Sequence, residues 1–322
     1  AARCERIIDL AMQASGSFCD DLSPNSVCYG NITLQAELVP GADEPFSERG
    51  DIIDVRDLQR LAAAPLDLQS EEWGIAVFQV MANLPHSLPG ENVTMVVFGN
   101  TTIDLPGQSL ESFYFTSQLG QVVCEAVPFD GIMIDVPDGT GVRFTVNGAE
   151  VLLMGSASLQ ATANGNMEIA IYDGAALVIS DGVEQYVGAG QGVKIELGGP
   201  NGNEAAGPPS DPYALAQDDL VIACTMSGQH CGQAAIPTMS AGAAMEWIAS
   251  GLGASPTGTG AGATPSTAAA TSTGVTAGGQ TQPPATNPPT GPAPTSPAPT
   301  ALPPTAIPPT SVPPTSVPDM IA

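Results

Sequence analysis

Six cysteines are the residues of this sequence whose chemistry is easiest to assign. They are widely spaced, and none stands in the Cys-x-x-Cys spacing that binds zinc or shuttles electrons. An even number of such cysteines predicts disulfide bonds, which form and persist outside the reducing cytoplasm. The spacing leaves the connectivity open, because six cysteines can be paired in many ways. We therefore predict a secreted or cell-surface protein with six disulfide candidates, Cys4, Cys19, Cys28, Cys124, Cys224 and Cys231.

An enzymatic centre would need a nucleophile beside a base, and the sequence offers few bases. The two histidines are His86, which follows a proline in a predicted loop, and His230. His230 stands between Cys224 and Cys231, but a zinc site would need a second pair of ligands, so this segment predicts a small disulfide loop. Motifs for acyl transfer, metalloproteolysis, and phosphate or dinucleotide binding are missing from the sequence. We predict a protein that is not an enzyme, without catalytic, cofactor-binding or metal-binding residues.

Carboxylate oxygens are the ligands that calcium prefers, and residues 19–21 and 217–219 offer them. Neither run has the spacing of a known calcium loop, so we interpret both as solvated acidic surface and keep calcium as the one cofactor alternative. Trp73 and Trp247 are candidate sugar-stacking platforms, although Trp73 lies beside an apolar run and is predicted to be core. Three Asn-x-Ser/Thr sequences are candidate glycosylation sites, Asn31, Asn92 and Asn100.

The charge balance narrows the choice of partners. The chain carries 33 acidic and 7 basic residues, a net charge of −26. A field of this sign repels the phosphates of nucleic acids and anionic lipid surfaces. No run approaches the ~18 apolar residues of a membrane-spanning helix. We expect a protein or glycan partner at the cell surface, or a second copy of this chain, without nucleic acid binding or membrane insertion.

The elements that must position these residues are mainly strands. Helical spacing of apolar residues over Cys4–Ala14 predicts a short N-terminal helix, and residues 57–64 and 213–222 are further helix candidates. The rest of residues 30–127 reads as alternating or continuously apolar strands. From residue 128 to 199, Asp-Gly and Asn-Gly pairs recur between short alternating runs, which predicts about eight strands joined by tight turns. A sandwich, a barrel and a short β-solenoid all fit this pattern.

Composition divides the chain into four segments. Residues 1–127 are predicted to form a disulfide-containing β-rich domain and residues 128–199 a β-repeat domain. Residues 200–250 combine a linker with a small disulfide loop. Residues 251–322 are rich in Pro, Thr, Ser and Ala, and they carry too few large apolar side chains to offset the entropy of ordering, which predicts a disordered stalk. The predicted fold class is mainly β with a short N-terminal helix.

Three segments of the repeat domain carry a family resemblance: Ala157–Thr162, Met167–Val178 and Val187–Ile195. In them Asp173-Gly174 and Ala189–Gln191 stand where a FecR-type β domain has a turn and a closing motif. Residues 128–199 therefore resemble that family. Its best-known members are envelope-exposed parts of signalling regulators, so the resemblance implies a sensor ectodomain as one function.

Short sequences of the N-terminal part carry a second resemblance. They are similar to secreted proteins of filamentous green non-sulfur bacteria (Chloroflexota), a group without an assigned activity. The resemblance implies export and the predicted architecture. The sequences concerned are Cys4–Ile7, Cys28–Asn31, Ala64–Leu68, Trp73–Ala76 and Ala82–Pro85.

These observations lead to one functional hypothesis with two alternatives. The leading hypothesis is a non-enzymatic extracellular structural or interaction protein that displays β domains at the cell surface on an extended stalk. Self-assembly is one version of it, since a repeated β module can accept a strand at its edge. The alternatives are a FecR-type envelope sensor and a carbohydrate-binding module.

Overall fold

A computed structural model describes residues 2–20, 22–42, 44–83, 92–118, 130–216 and 240–251. These residues fold mainly into strands, with one helix at the N-terminus, so the predicted fold class is confirmed. They belong to one compact unit, residues 1–260. The predicted stalk beyond residue 251 and the predicted disulfide loop from Cys224 to Cys231 lie outside the described residues.

Two helices and sixteen strands make up the described part of the chain. The helices are α1 (Ala2–Phe18) and α2 (Ala241–Gly251), and a 3-10 turn spans Val55–Asp57. Neither helix combines the length and the hydrophobicity that crossing a lipid bilayer requires. The strands are β1 Ser26–Asn31, β2 Leu34–Leu38, β3 Ile52–Asp54, β4 Leu58–Ala63, β5 Ile75–Met81, β6 Asn92–Phe98, β7 Thr101–Asp104, β8 Ser112–Ser117, β9 Gly131–Asp135, β10 Val142–Val146, β11 Ala149–Ala161, β12 Asn166–Ser180, β13 Val183–Gly188, β14 Gln191–Gly198, β15 Glu204–Ala205 and β16 Tyr213–Ala214.

Hydrogen bonds join these strands into one curled, open sheet. Its path runs β2-β4-β7-β8-β10-β11-β9-β6-β5-β1-β3, and β12 extends it from β11 with β13, β14 and the two-residue strands β15 and β16. The described pairings are antiparallel except for β8 with β10. Strands from both sides of residue 128 are neighbours, since β6 pairs with β9 and β8 with β10.

One face of the sheet buries a single large hydrophobic core. Every second residue of most strands points into it, as the pleat of a strand requires. The core includes Leu61, Ile103 and Phe115 from one part of the sheet and Val151 and Ile169 from another, each at most 1% exposed. Because the cluster is continuous from residue 27 to residue 197, strands distant in sequence stabilise one another.

Helix α1 covers part of the opposite face of the sheet. Its apolar stripe includes Ile7, Ile8 and Ala11, which pack against Trp73 and Phe98. The helix confirms the helical spacing read from the sequence and extends to Phe18. A second helix, α2, covers Leu152, Met154, Ala175 and Leu177 on the same outward side of β11 and β12. Strands β5, β6, β9, β11 and β12 therefore have apolar residues on both faces.

Asp173-Gly174 does not form the turn that its sequence predicts. It lies inside the 15-residue strand β12, opposite Ser156 and Gly155 of β11, where the register shifts. Both glycines have positive φ, and a Cβ at Gly174 would meet the carbonyl oxygen of Met154. The pair therefore marks a bulge at which the two backbones approach each other closely. The runs on either side of Gly174 are one strand rather than two.

Other sequence expectations are confirmed or corrected locally. Asn147-Gly148 and Asp181-Gly182 form tight hairpin turns with positive φ at both central residues. The helix predicted for residues 57–64 is wrong, because Leu58–Ala63 is strand β4 between β2 and β7. A register shift opposite Glu37 and Leu38 makes Leu58 and Leu61 both point inward, and this spacing of three imitates a helix. Residues 213 and 214 form strand β16 instead of a helix.

Candidate binding site

Four neighbouring strands place one polar side chain each on the face of the sheet that points away from the core. The Cα register pairs Glu37 of β2 with Arg60 of β4, Arg60 with Asp104 of β7, and Asp104 with Tyr114 of β8. Directly opposed residues in antiparallel strands have Cβ atoms about 5 Å apart. These four side chains, named the strand row below, are therefore continuous across the sheet.

Packing beneath the strand row fixes its direction. Leu61, Ile103 and Phe115 alternate with row residues on three of these strands, and each is fully buried in the core. A one-residue slip of register would bury the charged groups and expose these apolar ones. The core therefore determines that the strand row faces outward.

An ion pair holds the middle of the strand row. Arg60 NH1 lies 3.3 Å from Asp104 Oδ1, with the two side chains 48% and 39% exposed. Burial raises the pKa of Asp104, the charge of Glu37 raises it further, and the Arg60 guanidinium opposes both effects. Surface pairs of this exposure contribute about 1 kcal/mol or less to stability. The pair therefore serves mainly to orient a carboxylate and a guanidinium beside each other.

The β7–β8 turn, residues 105–111, borders the strand row. The N–H of Leu105 donates to the carbonyl of Gln59 at 2.8 Å, and the N–H of Gln108 donates to the carbonyl of Leu105 at 3.0 Å. Gln108 has a φ of 52° and its side chain is exposed. These bonds hold the Gln108 amide at the edge of the row.

The β14–β15 connection, residues 199–203, forms another border. Asn147 attaches this part of the chain to β8, because its side-chain amide exchanges two hydrogen bonds with the backbone of Phe115, at 2.7 and 3.0 Å. The carbonyl of Asn147 accepts the N–H of Ala205 at 2.6 Å. The side chain of Asn147 is fully buried. Asn147 therefore links strand β15, at the end of the connection, to strand β8, which carries Tyr114.

Together these elements enclose a cleft of about 690 Å³, named the first cleft. The strand row and hydrogen-bonding side chains from both borders line this cleft. Leu105 and Pro106 are the only lining residues with a nonpolar, non-aromatic side chain. Asn203 is 7% exposed, and no described residue forms a hydrogen bond with its amide. The cleft therefore presents donors and acceptors that are available to a ligand. Besides the row and Asn203, the amides are those of Gln59, Gln108 and Asn201.

A second cleft, of about 610 Å³, adjoins the first. Both clefts are lined by Gln108, and the second is also lined by Arg56, Met81, Glu111 and Arg143. Asp54 fixes Arg56 through contacts at 2.9 and 2.6 Å, and these hydrogen bonds lower the pKa of the Asp54 carboxyl. Glu150 holds Arg143 at 3.0 Å. The guanidinium groups of this cleft are thus oriented before any ligand arrives.

Among the described residues, no group of three or more His, Cys, Asp or Glu side chains is arranged to hold a metal ion. Of the two predicted acidic runs, only residues 19 and 20 are described. His86 and His230 lie outside the described residues, as do Cys124, Cys224 and Cys231.

The described cysteines take part in disulfide bonds. Cys19, just beyond α1, is bonded to Cys28 of β1. Cys4, in the first turn of α1, is also disulfide-bonded. No described cysteine is a free thiol. The Cys19–Cys28 bond therefore fastens the C-terminal end of α1 to β1.

The three candidate glycosylation asparagines occupy different environments. Asn31 is 5% exposed, and its amide donates to the carbonyl of Trp73 at 2.9 Å. Asn92 is half-buried, and its Oδ1 atom has no partner among the described residues. Asn100 is half-buried, and its backbone N–H bonds to the Asp130 carboxylate.

Two tryptophans also differ. Trp73 is fully buried and packs edge-on against Phe98 at 5.8 Å between ring centroids, so its predicted place in the core is confirmed. Trp247 of α2 is 48% exposed.

The sequence patterns did not predict the strand row. Alternation along Leu34–Leu38 is a signal for one of its strands, but Arg60 lay inside a segment with helical spacing. The row also depends on pairings between strands that are up to 44 residues apart, such as β4 with β7. A pattern of polar residues alternating with Leu61, Ile103 and Phe115 would have identified the outward face once the strands were known.

A carboxyl group outside both clefts has an altered acidity. Asp130 precedes β9 and lies against Gly99, and burial raises its pKa to about 6, opposed by the hydrogen bond from the Asn100 N–H. The environment of this carboxyl group therefore favours its protonated, uncharged form. Asp130 lines neither cleft, and its buried carboxylate costs folding stability when it is ionised.

Comparisons with known proteins add little to this description. No family model matches the chain, and no curated protein matches it significantly. Two crystal structures of a protein assigned as an anti-sigma factor from Parabacteroides distasonis ATCC 8503 are similar to 49% and 43% of the chain, at 12% and 11% identity and TM-scores of 0.30 and 0.27. The matched region covers 60% of the length of those chains. Similarity at this level does not assign a function.

Proposed function

We propose that this protein is a non-enzymatic interaction module that works outside the cytoplasm and binds a glycan in the first cleft. The observation that supports the proposal is the strand row, in which the core beneath fixes a carboxylate, an ion pair and a phenol ring in one line. Such a row is oriented before binding, which lowers the entropic cost of holding a ligand.

Sugar hydroxyls fit the chemistry of this cleft. Each hydroxyl donates one hydrogen bond and accepts others, so neighbouring hydroxyls of a ring match a carboxylate beside a guanidinium or an amide. Asp104 with Arg60 provides one such pair, and the Asn203 amide provides both a donor and an acceptor. Tyr114 adds a flat, amphipathic surface for the apolar side of a ring.

A peptide ligand fits the first cleft less well. Protein and peptide partners bind most strongly through apolar or aromatic anchors that fill desolvated pockets. Only Leu105 and Pro106 add aliphatic or imino surface to the lining, and Leu105 is 1% exposed. The lining consists mainly of groups that recognise hydroxyls.

The disulfides support a place of action outside the cytoplasm. The Cys19–Cys28 bond supports an oxidising compartment, since cytosolic thiols are kept reduced. We also propose that the protein is displayed at the cell surface on the predicted stalk, residues 251–322. This part of the proposal is based on the sequence alone.

Glycan-array screening of the full-length oxidised protein, followed by calorimetry with the best ligand, tests this function. We expect Tyr114→Ala and Asp104→Asn each to weaken binding by about tenfold, the effect of one lost contact worth about 1.4 kcal/mol. Glu184→Gln on β13 removes an exposed carboxylate that lines neither cleft and serves as the matched control. Binding that survives both cleft variants would refute the assignment of the site.

A further inference from the structure

The two clefts are joined by one exposed side chain. Gln108 lines both, and its position is set by the hydrogen bond from its N–H to the carbonyl of Leu105. The β7–β8 turn therefore contributes lining residues to both clefts. The two clefts are neighbours that meet at Gln108.

The second cleft continues the chemistry of the first and adds an apolar platform. Arg56 and Arg143 are each held by a carboxylate, at 2.6 and 3.0 Å, as Arg60 is held in the first cleft. Met81 is 52% exposed and offers a flexible apolar surface. Alternation of oriented polar groups with an apolar surface suits a chain of sugar rings, each of which has hydroxyl edges and an apolar face.

Charge selects among saccharide chains. The first cleft carries the carboxylates of Glu37, Asp104 and Glu204 against one guanidinium, and the second carries two acidic and two basic lining residues. The net charge of the protein is −26. An anionic chain such as a polyuronate or a phosphorylated polymer is therefore repelled both locally and at long range.

The dimensions favour more than one sugar unit. Pockets that bury most of a drug-sized ligand, which is larger than one sugar ring, have volumes of ~300–1,000 Å³. Each cleft, at about 690 and 610 Å³, already lies in this range. A single sugar would leave most of the groove empty.

We infer that the two clefts form one groove that binds a linear, uncharged oligosaccharide spanning Gln108. This inference rests on the proposed glycan binding of the first cleft and adds the length and the charge of the ligand.

Calorimetry with the full-length oxidised protein tests it, using neutral gluco-, manno- and xylo-oligosaccharides of two and six units and hexagalacturonate. We expect the hexamer of the preferred neutral series to bind at least about tenfold more tightly than its dimer and than hexagalacturonate. We expect Met81→Ala and Arg56→Ala to weaken binding of the hexamer about three- to tenfold and to leave binding of the dimer unchanged. Asp104→Asn should weaken both.

Val183→Ala is the matched control for Met81→Ala, because Val183 is an apolar residue on β13 that is 43% exposed. Equal affinities for dimer and hexamer, with no effect of Met81→Ala, would overturn the continuous groove and leave the proposed function standing. Preference for hexagalacturonate would overturn the predicted charge of the ligand. Absence of binding to every neutral series, or binding only to a peptide, would overturn the proposed function together with the inference.

Discussion

The outward side of the curled sheet is treated in two ways. Where β5, β6, β9, β11 and β12 form it, helices cover it, and Trp73 and Phe98 are fully buried beneath α1. Where β2, β4, β7 and β8 form it, no described helix covers it, and the strand row faces the first cleft. The covered face stabilises the fold, whereas the uncovered face is available for binding.

The two regions differ in how apolar and polar side chains alternate along their strands. Strands under a helix are apolar on both sides, as strands buried on both faces are. Strand β8 alternates fully, with Phe113 and Phe115 inward and Tyr114 outward. A polar residue on the uncovered face therefore does not contribute to the core.

The largest expected effect separates the two faces directly. Trp73→Ala under α1 should lower the free energy of unfolding by about 4 kcal/mol, because it removes a fully buried aromatic side chain and leaves a cavity. Tyr114→Ala, the matched aromatic truncation on the uncovered face, should cost about 1 kcal/mol or less. Urea unfolding followed by circular dichroism measures both. Equal losses would show that the strand row supports the fold as much as the covered face does.

The second largest effect on stability is expected from the disulfide at the end of α1. Replacing Cys19 and Cys28 together by serine should lower the free energy of unfolding by about 2.5 kcal/mol, because the bond closes a short loop in the unfolded chain. The measurement is urea unfolding without reductant, which keeps the Cys4 disulfide intact. A variant as stable as the wild type would mean that packing alone holds α1 on the sheet.

Asp130 makes the free energy of unfolding depend on pH. Its folded pKa of about 6 exceeds the ordinary aspartate value of 3.8, so the folded state binds more protons than the unfolded state between those values. Stability is therefore lost as the pH rises through this window. Asp130→Asn should remove that loss and raise the free energy of unfolding by about 2 kcal/mol at pH 8, with little change at pH 3.5.

The free energy of unfolding at pH 3.5 is the reference for the value at pH 8. Glu184→Gln controls for the removal of an exposed charge. A gain of the same size at pH 3.5 and pH 8 would rule out titration of Asp130 as the cause.

The smallest effect on stability is expected in the strand row. Arg60→Ala removes a half-exposed ion pair and should change the free energy of unfolding by about 1 kcal/mol or less. The same variant should weaken glycan binding by about tenfold, because a charged hydrogen-bond donor is lost from the cleft. Arg143→Ala breaks the comparable pair with Glu150 and serves as the matched variant for stability. A large loss of stability in Arg60→Ala would show that the pair is structural.

Sequence patterns predicted the elements better than their arrangement. The α1 stripe of Ile7 and Ala11 and the Asn147-Gly148 turn depend on neighbours in the chain, and both were predicted. The Asp173-Gly174 turn was wrong because a close approach of two long strands, which no local pattern records, uses the same residue types. The strand row combines residues from Glu37 to Tyr114, and only the pairing of four strands brings them together.

Hydrogen–deuterium exchange of the full-length oxidised protein, with and without the preferred neutral hexasaccharide, is the sharpest test of whether the uncovered face binds the ligand. We predict that the ligand slows amide exchange in the β7–β8 turn, residues 105–111, and in residues 199–205, and leaves α1 and the strands beneath it unchanged. Slower exchange confined to α1 or α2, or no change anywhere at a saturating concentration of a sugar that calorimetry shows to bind, would contradict the claim that the uncovered face is the binding surface.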